Sequence, residues 1–277
     1  CQSVPRSDVH IAVDIDSGLP RQQVRGYITE QQRLTHDITR LTVHLPEALP
    51  YRAGQFAEIE IESLPGIRRN YSFANAMQAD GTVEFFVRKV PDGVFSSHLN
   101  ERNVVGQMLS IDGPSGHFWL RDDTAPLLLL AGGSGLAPIL AILQDALAKG
   151  VTRSVNLLFG ARTEADLYAL EEIKAIASQW QGDFRFIPIL SDCKNEDTWT
   201  GRRGLVIDLI PEIIVPGAHA YLCGPPAMID AAVEILMQQG IYSRHIHADR
   251  FSTQQEMANA VQKPESLATQ AHVMNAG

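Results

Sequence analysis

From Val24 to about Leu120 apolar and polar residues alternate. Leu41, Val43 and Leu45 fall on one face, and Ala57, Ile59 and Ile61 fall on one face of the next run. A period of two belongs to a strand with one side in a core and the other in water. The runs are short and are punctuated by Pro46, Pro50, Gly54, Pro65-Gly66, Asp80-Gly81 and Asp92-Gly93. This texture predicts a small antiparallel β-barrel, with one helix in it, from Ser96 to about Glu101.

After Asp122-Asp123 the pattern changes to continuous apolar runs separated by helix-length stretches. Strands are expected at 126–131, 155–159, 184–190, 219–222 and 246–248, with helices over Glu164 to Trp180 and Ala227 to Gln239. Apolar runs without alternation are those of strands covered on both faces, so a five-stranded parallel α/β sheet is expected. The two textures divide the chain near residue 122 into a barrel, 21–122, and an α/β domain, 123–251. Beyond Phe251 a polar, Ala-rich tail, 252–277, opens with Thr253-Gln254-Gln255-Glu256, a capping-box pattern, and reads as a surface helix or disorder without assigned function.

Length, charge and cysteines narrow the picture further. A chain of 277 residues suits two domains better than one. A net charge of −9 without a basic block argues against nucleic acid and against an anionic membrane surface. No apolar run approaches the roughly 18 to 20 residues needed to cross a bilayer, and no signal-peptide pattern opens the chain. Cys1, Cys193 and Cys223 are too few and too unevenly spaced for a disulfide scaffold or a zinc site. A cytoplasmic protein in a reducing compartment is expected.

Two stretches carry chemistry. Gly132-Gly133-Ser134-Gly135-Leu136-Ala137-Pro138 follows the apolar 126–131 run and opens a helical pattern. Its glycines let the backbone approach a pyrophosphate, whose charge suits the free N–H groups of the helix that follows. Cys223-Gly224-Pro225-Pro226-Ala227-Met228 does the same after Ala220-Tyr221-Leu222 and puts a thiol where a strand stops. Ligands of open α/β sheets bind beyond such strand ends. The first stretch lacks the third Gly of GxGxxG, so neither is decisive alone. Upstream, in a segment of strand-like period, stands Arg69-Asn70-Tyr71-Ser72.

The order Arg-x-Tyr-Ser, Gly-Gly-x-Gly-x-Ala-Pro, Cys-Gly-Pro-Pro-x-Met resembles the ferredoxin-NADP reductase superfamily, and within it the flavin reductase components of aromatic-ring dioxygenases, over residues 1–251. The resemblance implies an NADH-dependent FAD reductase. Flavin bridges two-electron hydride transfer and one-electron iron–sulfur acceptors, while the protein supplies position and electrostatics. It also implies that Arg69 holds the flavin phosphate, Tyr71 packs on the isoalloxazine or ribityl chain, and Ser72 bonds near flavin N5. Phe86-Val87-Arg88 would pass the adenylate half, with Val87 and Arg88 in contact. The Gly93-Val94-Phe95-Ser96 turn would hold the flavin pyrophosphate, which favours FAD over FMN. In the second domain Gly133, Ser134 and Gly135 would cradle the NADH pyrophosphate and Pro138 shape the helix start. Cys223, Gly224, Pro225 and Met228 would lie at the nicotinamide. Asp192, after the 184–190 run, would disfavour a 2′-phosphate, with Arg162 able to offset it. Phe251 would be a movable placeholder for the nicotinamide and Asp249 a polar neighbour. Ser72, Cys223 and Phe251 are thus the candidate catalytic residues.

Cys1 with Gln2-Ser3-Val4-Pro5 resembles the end of a plant-type ferredoxin domain, making residues 1–20 a stub and linker. A [2Fe-2S] cluster takes four ligands, so Cys1 would be a metal ligand only within a full ferredoxin domain. The expected partners are a ferredoxin and/or an oxygenase component. Two alternatives stand: a reductase that releases reduced free flavin, and a redox sensor that binds nucleotides without turnover. Other chemistry fits poorly. Gly132 to Leu136 lacks the last Gly of a Gly-x-Ser-x-Gly elbow, nothing pairs with His117, and His245-x-His247 supplies only two metal ligands.

Overall fold

In the computed structural model, residues 18–192 and 198–251 are described; Cys1, Cys193 and the 252–277 tail lie outside them. The alternating half forms six strands: β1 (Gln22–Arg33), β2 (Ile38–His44), β3 (Phe56–Ile61), β4 (Arg69–Ser72), β5 (Thr82–Arg88) and, after helix α1 (Val94–Glu101), β6 (Met108–Ser115). They lie in the order β4-β3-β6-β1-β2-β5, with antiparallel pairing throughout. A bridge from Phe73 to Phe85 joins the two ends and curls the sheet into a barrel. The alternation is that of the sequence. Leu41, Val43, Leu45, Ala57, Ile59 and Ile61 are all fully buried in a core that also takes Phe73, Phe85 and Phe95.

The second half forms β7 (Leu127–Gly132), α2 (Leu136–Ala148), β8 (Val155–Ala161), α3 (Leu170–Gln179), β9 (Phe184–Leu190), β10 (Arg202–Arg203), α4 (Ile210–Ile213), β11 (His219–Gly224), α5 (Pro226–Gln238) and β12 (Ile246–Arg250). All six strands are parallel, in the order β10-β9-β8-β7-β11-β12. The chain leaves β7 in one direction and returns on its other side at β11. Their carboxyl ends therefore flank a topological switch point, where such sheets bind ligands. The helices cover both faces, α2 and α3 on one and α4 and α5 on the other.

Two expectations differ from the structure. A sixth strand, β10, joins the edge of the expected five; two residues with exposed arginine side chains carry no apolar signal. The helix expected over Glu164 to Trp180 is broken. Thr163 and Asp166 close a capping box around one 3-10 turn, Glu164–Asp166. Ala169 then takes a left-handed conformation, φ 56°, before α3 begins.

The barrel leans on the α2 face of the sheet. One apolar cluster joins Ile38, Ala53, Ala74, Phe86 and Phe118 to Leu127, Leu129, Ala131 and the buried side of α2. Polar ties flank it: Arg40 reaches Glu172, and the Ala76 N–H donates to Gln144 Oε1 at 3.0 Å. The connecting segment is held as well. The Arg121 N–H donates to the Tyr221 hydroxyl at 2.8 Å. The buried guanidinium of Arg153 donates to the Arg121 and Ala125 carbonyls, while the Trp180 indole N–H donates to the Arg153 carbonyl at 2.9 Å. Arg153→Met fills similar space but strands those two carbonyls. We expect it to lower unfolding stability by about 2 to 3 kcal/mol, read from the urea midpoint, and a loss under about 0.5 kcal/mol would contradict this role.

Candidate dinucleotide and flavin site

At the switch point β7 runs into Gly133 (φ 55°) and one 3-10 turn, Gly133–Gly135, from which α2 starts. Gly135 caps α2 without a side-chain hydrogen bond and the Leu136 N–H turns back to the Gly133 and Ser134 carbonyls, so an anion here would meet the N–H groups of the preceding turn and the positive end of the helix dipole. Pro138 sits in that first turn, where its missing N–H costs nothing. Alongside, β11 ends at Gly224 (φ 153°), and α5 follows with Pro225 as its cap and Pro226 at its first position. The two turns touch: a Cβ on Gly135 would lie 2.2 Å from the Cys223 carbonyl oxygen, and one on Gly132 would lie 2.7 Å from Met228 Sδ. Gly133, Ser134, Gly135, Pro138, Cys223, Gly224, Pro225 and Met228 are thus brought to one place.

Cys223 is fully buried, opposite Asp249 in the β11–β12 register. Burial, and then the neighbouring Asp249, push the Cys223 thiol well above its ordinary range, so it stays protonated and small rather than acting as a nucleophile. Burial alone lifts the Asp249 carboxyl to about 6. Phe251 is half-buried against the cluster that contains Cys223, Ala74 and Phe118. Its N–H donates to the Gly224 carbonyl at 2.9 Å, which ties the aromatic to the second turn.

In the barrel, β4 presents Arg69 and Tyr71 at positions two apart, while Ser72 is buried. The Tyr71 ring stacks on Phe95 of α1, centroids 6.0 Å apart and planes 26° off parallel. This brings the Arg69–Ser72 strand to the Gly93–Ser96 turn. Gly93 caps α1 without a side-chain bond, leaving a second helix start open to an anion. The Ser96 hydroxyl accepts the Val90 N–H at 3.0 Å and donates to the Gly93 carbonyl, shaping the turn from inside. Arg69 Nη1 donates to the Arg68 carbonyl at 2.6 Å. An uncapped helix start, an aromatic face and an arginine beside it are a donor set that suits a flavin dinucleotide.

Val87 and Arg88 have protein partners of their own. Val87 is fully buried in the barrel core, with its carbonyl accepting from Asn100. Arg88 pairs with Asp37 at 2.9 Å, and its Nη1 lies 3.2 Å from where a Gly133 Cβ would be. It therefore sits at the seam under the dinucleotide turn. Bonds from Arg88 and Thr35 overcome burial and hold the Asp37 carboxyl below the usual range. Past the ends of β8 and β9, the Asp192 N–H donates to the Arg162 carbonyl at 2.8 Å, so these opposite charges lie on adjoining loops.

Sequence reasoning missed Tyr168, whose hydroxyl donates to the Gly133 carbonyl at 2.9 Å. Its signal was the capping box just before it, which marks a one-turn stop in a stretch otherwise read as helix. His245 and His247 join a column of rings instead of a ligand set. His245 stacks on His219 at 4.2 Å and His247 on Tyr221 at 4.6 Å, toward the amino ends of β11 and β12, and burial pushes His247 down to about 4. Among the described residues no helix is long and apolar enough to cross a membrane.

Comparison with known proteins agrees with this geometry. Residues 25–119 match the oxidoreductase FAD-binding domain, and residues 129–234 match the oxidoreductase NAD-binding domain. The chain is 38% identical over 254 residues to the xylene/toluene monooxygenase electron transfer component of Pseudomonas putida, covering 91% of this chain and 72% of that protein. It is 35% identical over 257 residues to the reductase component of the naphthalene 1,2-dioxygenase system of Pseudomonas putida, covering 91% and 76%. Among solved structures, the ferredoxin reductase in carbazole 1,9a-dioxygenase superposes with a TM-score of 0.78 at 30% identity, covering 84% of this chain and 70% of that one. The chain therefore belongs to the ferredoxin-reductase family of FAD- and NAD-binding flavoprotein oxidoreductases, the family that holds the reductase components of aromatic oxygenase systems.

Proposed function

We propose that this chain takes a hydride from NADH onto FAD and passes the electrons singly, through an iron–sulfur centre, to an oxygenase acting on aromatic rings. The observation that carries this reading is the pair of uncapped helix starts, Gly93 in the barrel and Gly135 in the sheet, on either side of one apolar seam whose cluster includes Cys223 and supports Phe251. In this reading residues 21–122 form the FAD domain and 123–251 the NAD domain. A ferredoxin and/or the oxygenase component is the partner.

Bound flavin supplies the two-electron to one-electron conversion; the chain's residues do the rest. Arg69 offers a planar multi-donor fork to phosphate, and Tyr71, braced by Phe95, offers a flat face. Buried Ser72 supplies a short donor. The Gly133–Gly135 turn holds the second pyrophosphate. Neutral, buried Cys223 and half-buried Phe251 shape the space for the nicotinamide and keep water from it. Asp249, opposite Cys223, keeps its proton up to about pH 6 because burial disfavours the charge.

We expect the purified chain to carry about one FAD and to bleach anaerobically with NADH. A free-flavin reductase would not retain it, and a sensor would not bleach. Arg69→Ala should weaken FAD retention about ten- to a hundredfold, the loss of one charge-assisted phosphate contact. A colourless protein unaffected by added FAD is the contrary result.

Coenzyme choice is set at Asp192, which opposes a 2′-phosphate, partly offset by Arg162 on the adjoining loop. At a surface-like dielectric of about 20 and with salt screening, the repulsion favours NADH over NADPH by on the order of tenfold to a hundredfold in kcat/KM. Asp192→Ser should narrow that ratio, and an NADPH efficiency equal to that with NADH in the parent protein would refute the assignment.

A carboxyl held near 6 in the fold but about 4 in the unfolded chain binds its proton more tightly when folded. Its contribution is full below about pH 4 and is lost as pH rises through about 6. Asp249→Asn keeps the neutral shape. It should be more stable than the parent at pH 7, by on the order of 1 to 2 kcal/mol, with the difference vanishing near pH 4. A difference independent of pH in urea titrations would show that the fold does not raise the Asp249 carboxyl.

A further inference from the structure

Ala169 is a non-glycine residue at φ 56° and ψ 22°. L-residues enter the left-handed region at a cost, and the surroundings must impose it. Here the imposed turn delivers Tyr168. The 3-10 turn ends at Asp166, Leu167 is extended, and the reversal at Ala169 lets α3 start again while the Tyr168 side chain goes inward. Tyr168 is 4% exposed. Its ring meets Phe159 of β8 edge-on at 5.5 Å and Phe86 of the barrel at 5.6 Å.

The hydroxyl then donates to the Gly133 carbonyl at 2.9 Å, which also accepts the Leu136 N–H. In a planar trans peptide the C=O of one residue and the N–H of the next point in opposite directions. Fixing the Gly133 carbonyl toward the interior therefore fixes the Ser134 N–H outward. From the barrel, the Arg88 guanidinium, anchored on Asp37, stands against Gly133 itself. A Phe would fill the same apolar space, so the packing explains the ring and leaves the hydroxyl and the strained residue beside it to be explained.

We infer that Tyr168 is a positioning residue for the NADH pyrophosphate: its hydroxyl sets the Gly133–Ser134 peptide so that the N–H faces the anion. This rests on the reading that the Gly133–Gly135 turn is the cradle. The left-handed Ala169 is the conformational cost of placing the strut. Because the ring also rests on Phe86, the turn is set relative to the barrel as well as to its own sheet.

The test uses the FAD-loaded protein and NAD+ as the probe, with dissociation constants from calorimetry. Tyr168→Phe should weaken NAD+ about three- to tenfold, raise KM for NADH more than it lowers kcat, and speed hydrogen exchange at the Ser134 amide without nucleotide. FAD content and Tm should stay close to the parent's. Ala169→Val, which keeps the hydroxyl but penalises the left-handed turn, should weaken NAD+ in the same direction and serves if the first variant does not fold. Unchanged NAD+ affinity in either folded variant, or loss of FAD in parallel with NAD+, would overturn the inference. Gly133→Ala separates the two levels. If it too leaves NAD+ affinity unchanged, the cradle reading fails; if it weakens NAD+ while Tyr168→Phe does not, only the strut fails.

Discussion

The turns after β7 and β11 meet backbone to backbone, because a Cβ on Gly135 would come within 2.2 Å of the Cys223 carbonyl oxygen. That distance is well inside van der Waals contact, so the absence of a side chain there is what lets the two strand ends close at the switch point. Once they are closed, other placements follow. α2 and α5 start from neighbouring points, Met228 covers Gly132, and the Phe251 N–H finds the Gly224 carbonyl. A nucleotide meeting this edge meets one body, built from segments about a hundred residues apart in the sequence.

The relation between barrel and sheet rests on different physics. The seam is an apolar cluster drawn from both halves, flanked by charged and polar ties such as Arg40 to Glu172 and the Ala76 N–H to Gln144. Apolar contact supplies the area and is non-directional; the polar ties fix the register. The connecting segment is held by Arg153 and Tyr221, so it behaves as part of the structure rather than as a tether.

Much of this was legible from local pattern. The alternation at Leu41-Val43-Leu45 and Ala57-Ile59-Ile61 found the buried face of the barrel, and the unbroken apolar runs found the doubly covered strands. Glycine and proline placement located both turns at the switch point. Other features have no local signature. β10 is too short and too polar to announce itself. Ala169 is an ordinary helix former, and its left-handed conformation comes from the tertiary demand on Tyr168. Arg88 gives no local sign that it stands against Gly133, because that neighbour comes from a strand of the other half of the chain.

The barrel closes at its weakest edge. β4 has four residues, paired along one side with β3, while β5 is joined to its end by the Phe73–Phe85 bridge and the bond from the Ala74 N–H to the Glu84 carbonyl. Short edges with few ladder bonds are where sub-global opening begins. This same strand bears Arg69 and Tyr71, the residues proposed to grip the flavin. A ligand that binds only the closed form adds its binding free energy to closure, so cofactor loading and completion of the barrel become a single equilibrium. Without bound ligand that equilibrium would shift toward an opened barrel with a finished sheet beside it, and the edge left unpaired would be the one bearing the residues proposed to hold the flavin.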